Sequence, residues 1–238
     1  MNTEIQKQLP RRSSLAFTLI ELLTVISIIV VLMVIAVPAF NAIKGGGDTT
    51  KAGNDIAGAL EMAKSYAIAK NTYVWVGFFE EDATSTTAGK EGKGRLVISM
   101  VASNDSTNQL LNGTLTNSTA SQVYKLLKID GVSLATLSSS DITRTTDTIP
   151  NANYQVAEDS FKSPKTFPFP LNGTAQYNFC KIIQFSPLGD ATRFSDTPTP
   201  WMELGFRPTH GTATDTNSKN VVAIQIAGIG GQAIIQRP

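Results

Sequence analysis

The sequence predicts an α+β fold: a long N-terminal transmembrane helix followed by a globular domain built on an antiparallel β-sheet. Three observations carry this reading. Residues 22–43 contain no charged side chain, and as a helix such a run is about 33 Å long at roughly 1.5 Å per residue, enough for a hydrocarbon core of about 30 Å. A shorter amphipathic pattern follows at 55–70. After it come short runs rich in Val, Ile, Phe, Trp and Tyr, each bounded by Gly, Pro, Asn or Ser, which is the pattern of strands and turns.

Residues 1–16 carry Lys7, Arg11 and Arg12 against Glu4, so the positive-inside rule places this end in the cytoplasm and sends the rest of the chain outward. The apolar run is longer than the core of a cleaved secretory signal, and no small-residue cleavage site follows it. One carboxylate, Glu21, stands near its start. An acid within such a segment is costly and calls for a neutralising cation. Pro38 falls inside the helical pattern, where its missing N–H and its ring bend or locally free the helix.

The three glycines of "KGGGDTT", residues 44–50, read as a hinge or break. Helix then resumes with Ile56, Leu60, Ala63 and Ala67 on one face and Glu61, Lys64 and Ser65 on the other, a stripe suited to packing on a sheet. Strands are expected at 73–79, 94–101, 123–130, 176–186, 201–207, 219–227 and 231–236. Residues 103–122 and 131–172 are rich in Ser, Thr, Asn and Pro without periodicity, and read as long surface loops. The expected organisation is thus 1–16, a transmembrane helix at 17–43, and a domain at 44–238.

Composition excludes several functions. A net charge of +1 provides no basic footprint for a polyanion, so no nucleic-acid partner is inferred. The single cysteine, Cys180, cannot close an internal disulfide and reads as a small buried hydrophobe. His210 is the lone histidine, with no second histidine or cysteine near it, so neither a metal cluster nor a nucleophile–base pair is supported. The acid runs Glu80-Glu81-Asp82 and Glu158-Asp159 read as solvated loop charge, with calcium ligation as the sharper alternative. "GIGG" at 228–231 lacks the spacing of a phosphate cradle and reads as a hairpin turn. Asn104, Asn112, Asn117 and Asn172 open N-x-S/T triplets that chance explains in so Asn- and Thr-rich a chain. No cofactor, metal or catalytic constellation is expected.

The stretch "AFTLIELLTVISIIVVLMVIAVP", residues 16–38, resembles the cleavage and methylation segment of type IV prepilins and type II secretion pseudopilins. The resemblance implies a leader peptide at 1–16, a cut between Ala16 and Phe17, and methylation of the new Phe17 amine by a prepilin peptidase. Most members have glycine before the cut where this chain has Ala16. Glu21 becomes the fifth residue of the mature chain, where the family's acid pairs with the terminal amine of a neighbouring subunit, and Pro38 matches a helix-loosening proline of filament-forming members. "LEMAKSYAIAKNTYVWVGF", "IIQFSPLGDATRF", "WMELGF" and "NVVAIQIAGIGGQAIIQ" are similar to the domain of the H-class, GspH/FimT-like minor pseudopilins. The long central loops and Ala16 also resemble the Verru_Chthon cassette protein D group.

The implied protein is a non-enzymatic, pilin-like structural subunit of a type II secretion pseudopilus or a type IV pilus-like filament. Its expected partners are prepilin peptidase, other pilin or pseudopilin subunits and inner-membrane lipid. It is expected as a single-pass protein of a bacterial inner membrane, N-terminus cytoplasmic and domain periplasmic, later drawn into a periplasmic filament. The alternative is a membrane-anchored periplasmic ligand-binding or enzymatic domain.

Overall fold

In the computed structural model, the described residues are 18–109, 115–144, 152–193 and 198–238, with the side chains of 35–48 and 152 outside the description. The chain divides into two compact units, Met1–Ala42 and Ile43–Pro238, each considered by itself below.

One helix, α1 (Leu19–Lys70), contributes to both units. It begins at a capping box: Thr18 and Glu21 stand three residues apart, and the Glu21 side chain accepts from the Thr18 N–H at 2.8 Å while the Glu21 N–H donates to Thr18 Oγ1 at 3.3 Å. It ends in a Schellman arrangement. Asn71 takes the left-handed conformation (φ 49°), its N–H reaches Ile68 O at 3.2 Å, and the Thr72 N–H reaches Ala67 O at 3.0 Å. No break occurs at residues 44–50, which lie within α1.

In the second unit, β1 (Val74–Asp82) lies at the centre of a six-stranded antiparallel sheet with β2 (Gly94–Ser103), β3 (Ala120–Gln122), β4 (Leu127–Asp130), β8 (Lys181–Phe185) and β9 (Ala191–Thr192). A five-stranded sheet joins β5 (Val132–Leu134), β10 (Trp201–His210), β11 (Ala213–Thr214), β12 (Val222–Ala227) and β13 (Ala233–Gln236). A small hairpin pairs β6 (Phe167–Phe169) with β7 (Tyr177–Phe179).

The main core lies where α1 meets both sheets. Ile56, Leu60, Ala63 and Ala67 are all buried, clustered with Val76 and Phe78 of β1, Ile98 of β2, and Leu204, Phe206 and Ile224 of the second sheet. Small alanines on the helix let the sheets approach closely, while Ile56 and Leu60 fill the space between.

A second core forms on the other face of β1 and β2. Because side chains alternate along a strand, Val74, Val76 and Phe78 face the helix while Trp75 and Phe79 point the opposite way, into a cluster with Val97, Val101, Phe167, Tyr177 and Phe179. The β6–β7 hairpin covers that face, with Phe167 and Phe179 stacked at 5.1 Å. Gly77 makes this closure possible: a Cβ there would lie 2.6 Å from Phe179 Cβ and 2.7 Å from the Phe167 ring. The Trp75 N–H donates to Gln184 Oε1 at 2.8 Å, directly across the strand pair, and Gln184 donates on to Thr192.

The structure corrects the expected class and placement. The described residues carry thirteen strands in three sheets together with α1, rather than a long membrane helix ahead of one sheet. Among them no helix is long and apolar enough to cross a membrane. The transmembrane reading of 17–43 and the single-pass inner-membrane location with a periplasmic domain therefore have no structural support.

The loop readings also change. The segment 103–122 contributes β3 and the buried Leu115, and 131–172 contributes β5, β6 and the buried Val156 and Phe161. The single expected strand at 176–186 is two strands, β7 and β8, separated at Cys180.

Candidate functional site

The N-terminal part of α1 is the feature that the domain does not account for. From Leu19 to Val34 every side chain is exposed, with large apolar residues uncovered by between 45% at Ile29 and 82% at Leu19. Its two hydroxyl side chains turn inward on the backbone: Thr24 donates to Ile20 O at 3.0 Å, and Ser27 donates to Leu23 O at 2.8 Å; just before the segment, Thr18 Oγ1 donates to Glu21 Oε2 at 2.8 Å. The exterior of this segment is thus almost purely hydrocarbon. An uncovered apolar surface this continuous marks an interaction site.

Glu21 is the one charge in the segment. Both bonds it receives from Thr18 land on Oε2, so the carboxylate is held at the helix start, where the helix dipole also favours it. The capping role is legible in the spacing Thr-x-x-Glu, which the sequence reading above assigned solely to an intermolecular contact. Ala16 and Phe17, the expected processing residues, lie outside the described residues. Pro38 lies within α1, and its side chain is likewise outside the description.

The domain's charged groups are engaged with one another. Glu81 is 1% exposed. Burial acts to raise its pKa, but donation from the Gly89 N–H, the Tyr177 hydroxyl, Arg95 and Lys128 outweighs it and holds the carboxyl at about 2. The distances are 2.9 Å to Gly89 N, 2.7 Å to Tyr177 Oη, 3.0 Å to Arg95 Nη1 and 3.3 Å to Lys128 Nζ. Glu80 accepts from the Ser133 hydroxyl and the Leu134 N–H, and Asp82 pairs with Lys90 at 2.9 Å. The acid run therefore sits in β1 and fastens neighbouring segments instead of forming a solvated loop.

Glu158 accepts from Thr136, and Asp159 pairs with Lys162 at 2.9 Å. Among the described residues no group of three or more His, Cys, Asp or Glu could hold a metal ion. A second buried pair joins Arg144 to Glu203, Nε to Oε2 at 2.7 Å and Nη2 to Oε1 at 2.8 Å, with Arg144 Nη2 also donating to Leu137 O.

His210 is exposed at the end of β10. Cys180 is half-buried rather than fully enclosed, and lines a shallow cleft with Glu91, Asp159, Lys162 and Lys181. Burial pulls the Lys181 pKa down, and its ammonium donates to Ala157 O at 2.7 Å. "GIGG" forms a short 3-10 turn at Ile229–Gly231 between β12 and β13, with Gly230 at φ 74°. Comparison of the chain with protein-family models, curated proteins and solved structures returns no match.

Proposed function

We propose that this chain is a structural, non-enzymatic subunit of a type II secretion pseudopilus or a type IV pilus-like filament. A prepilin-type peptidase cuts it between Ala16 and Phe17 and methylates the new amine, and it joins other pilin or pseudopilin subunits through the first part of α1. The observation that carries this reading is the wholly exposed apolar surface from Leu19 to Val34. Covering apolar surface is worth roughly 25 cal/mol per Å², and the matching surface of another subunit's helix supplies such cover, with Glu21 the one charged group to be accommodated.

Glu21 then has two tasks. Within the subunit it closes the capping box through Oε2; between subunits its charge takes the amine of a neighbour, with Oε1 as the receiving oxygen. Glu21→Gln separates the two, because glutamine retains the capping geometry but not the charge.

The test has two parts on the full chain produced with its peptidase. Mass spectrometry of the mature N-terminal peptide should find methylated Phe17, and cysteine cross-linking between copies at Ile26 should fall several-fold in Glu21→Gln. An uncut chain, or cross-linking unchanged by the substitution, overturns the reading.

A further inference from the structure

A second apolar surface lies in the domain, where two turns meet beside the end of α1. Leu188 is 83% exposed and Ile229 81% exposed, and Ile68 of α1 is half exposed. Leu188 occupies the third position of a β-turn begun by Ser186 and Pro187 and closed by the Gly189 N–H to Ser186 O at 2.9 Å. Ile229 opens the 3-10 turn between β12 and β13.

The two turns are fastened together. The Gly230 N–H donates to Asp190 Oδ1 at 2.8 Å and the Ala191 N–H to Gly228 O at 2.7 Å. Gly189 O lies 2.3 Å from where a Gly231 Cβ would stand, and Ile68 Cδ1 lies 2.9 Å from where a Gly189 Cβ would stand. Large aliphatic side chains at turn tips gain nothing for the fold, and here hydrogen bonds fix the backbone that displays them. Fixing that backbone beforehand lowers the ordering cost of binding.

We infer that this Ile68/Leu188/Ile229 surface is a docking site for the apolar start of α1, residues 19–34, from a second copy of the chain. Two features select that occupant. The chain itself carries an uncovered apolar helix surface, so each copy brings both halves of a head-to-tail contact, the kind that propagates instead of closing. The charges are also complementary. Glu21 is the only charge in the docking segment, and its carboxylate has lone pairs enough to accept from a lysine as well as from a neighbour's amine. Lys64 borders the patch, with its Cε 3.8 Å from the Gly189 Cβ position, and its own contact with Glu61 is long, 3.7 Å. Asp190, the acid at the patch, is occupied by the Gly230 N–H. The inference rests on the filament reading and adds to it a specific domain surface.

The test uses the full chain with Cys180→Ser, mixing copies that carry Leu188→Cys with copies that carry a cysteine at Leu22, Ile26, Ile29 or Met33. Oxidation should give intermolecular disulfides from Leu188→Cys to at least one helix position, at five or more times the yield from Asn217→Cys, an exposed position elsewhere. Adding Ile229→Asp to the Leu188→Cys chain should reduce that yield at least fivefold while tryptophan fluorescence stays native. Helix-to-helix cross-linking through Ile26→Cys in both copies reports assembly independently. Helix-to-helix disulfides without the Leu188 product overturn the docking site and leave the filament reading standing; loss of both products overturns both. A Leu188 product unaffected by Ile229→Asp also overturns the site as drawn.

Discussion

Replacing Arg144 with methionine should be among the most damaging single changes in the second unit, although it removes an ion from the interior. The guanidinium is 3% exposed and its partner Glu203 1% exposed. Arg144 makes both charge-assisted bonds to the carboxylate, and it donates to Leu137 O at 2.7 Å and to Ser138 O at 3.4 Å. Methionine fills much of the volume but leaves Glu203, among the described residues, with a 3.3 Å donation from Gln225 alone. Stranding one member of a buried pair costs about 3–5 kcal/mol, a large share of a total stability of about 5–15 kcal/mol.

The double variant Arg144→Met/Glu203→Leu should recover more than half of that loss, since the stranded charge is gone and only the Leu137 and Ser138 carbonyls and the Gln225 amide lose partners. Urea denaturation of the full chain, followed by the fluorescence of buried Trp75 and half-buried Trp201, measures both variants. A single-variant loss below about 1 kcal/mol, or a double variant as unstable as the single, would refute the stranded-charge argument.

Three further outcomes follow from the same packing. Glu81 is held at about 2, below the ordinary carboxylate value of 4.5; its contribution is therefore complete above about pH 4.5 and is lost as the pH falls toward 2, so in Glu81→Gln an acid titration of stability should be flatter across that window. Gly77→Ala should destabilise the domain by about 1–3 kcal/mol through overpacking against Phe167 and Phe179, read as a lowered Tm, and an unchanged Tm would mean that the β6–β7 hairpin is free to move away. Phe161→Ala, in a segment that the sequence presents as surface loop, should cost about 3–5 kcal/mol because the ring is fully buried; a cost within about 0.5 kcal/mol, the usual range for a surface change, would restore the loop reading.

The sequence by itself determined the elements whose signals are local. The stripe Ile56, Leu60, Ala63 and Ala67 can face a core only as a helix, and strands occur in the β-branched and aromatic runs at β1, β2, β10 and β12 because alternation and flanking turn residues act within a few positions. The capping box at Thr18 and Glu21 was equally local. The glycines at 44–50 read as a break, but a glycine costs a helix only about 1 kcal/mol, and α1 continues through them.

Tertiary structure alone decided the rest. Residues 131–172 carry no period, yet Val132, Val156, Phe161 and Phe167 are all 0% exposed, because what buries them is a partner surface far away in sequence. Nor does alternation along β1 reveal that its second face is covered, since Trp75 and Phe79 find the β6–β7 hairpin about 100 residues later. Glu81, Arg95, Lys128 and Tyr177 read as separate residues until strand register sets them around one carboxylate. The turns bearing Leu188 and Ile229 become one surface only when Gly230 reaches Asp190. Periodicity records which way a side chain points relative to its neighbours in the chain; burial, pairing and exposure depend on which distant segment arrives there, and that is fixed by the packing of the whole domain.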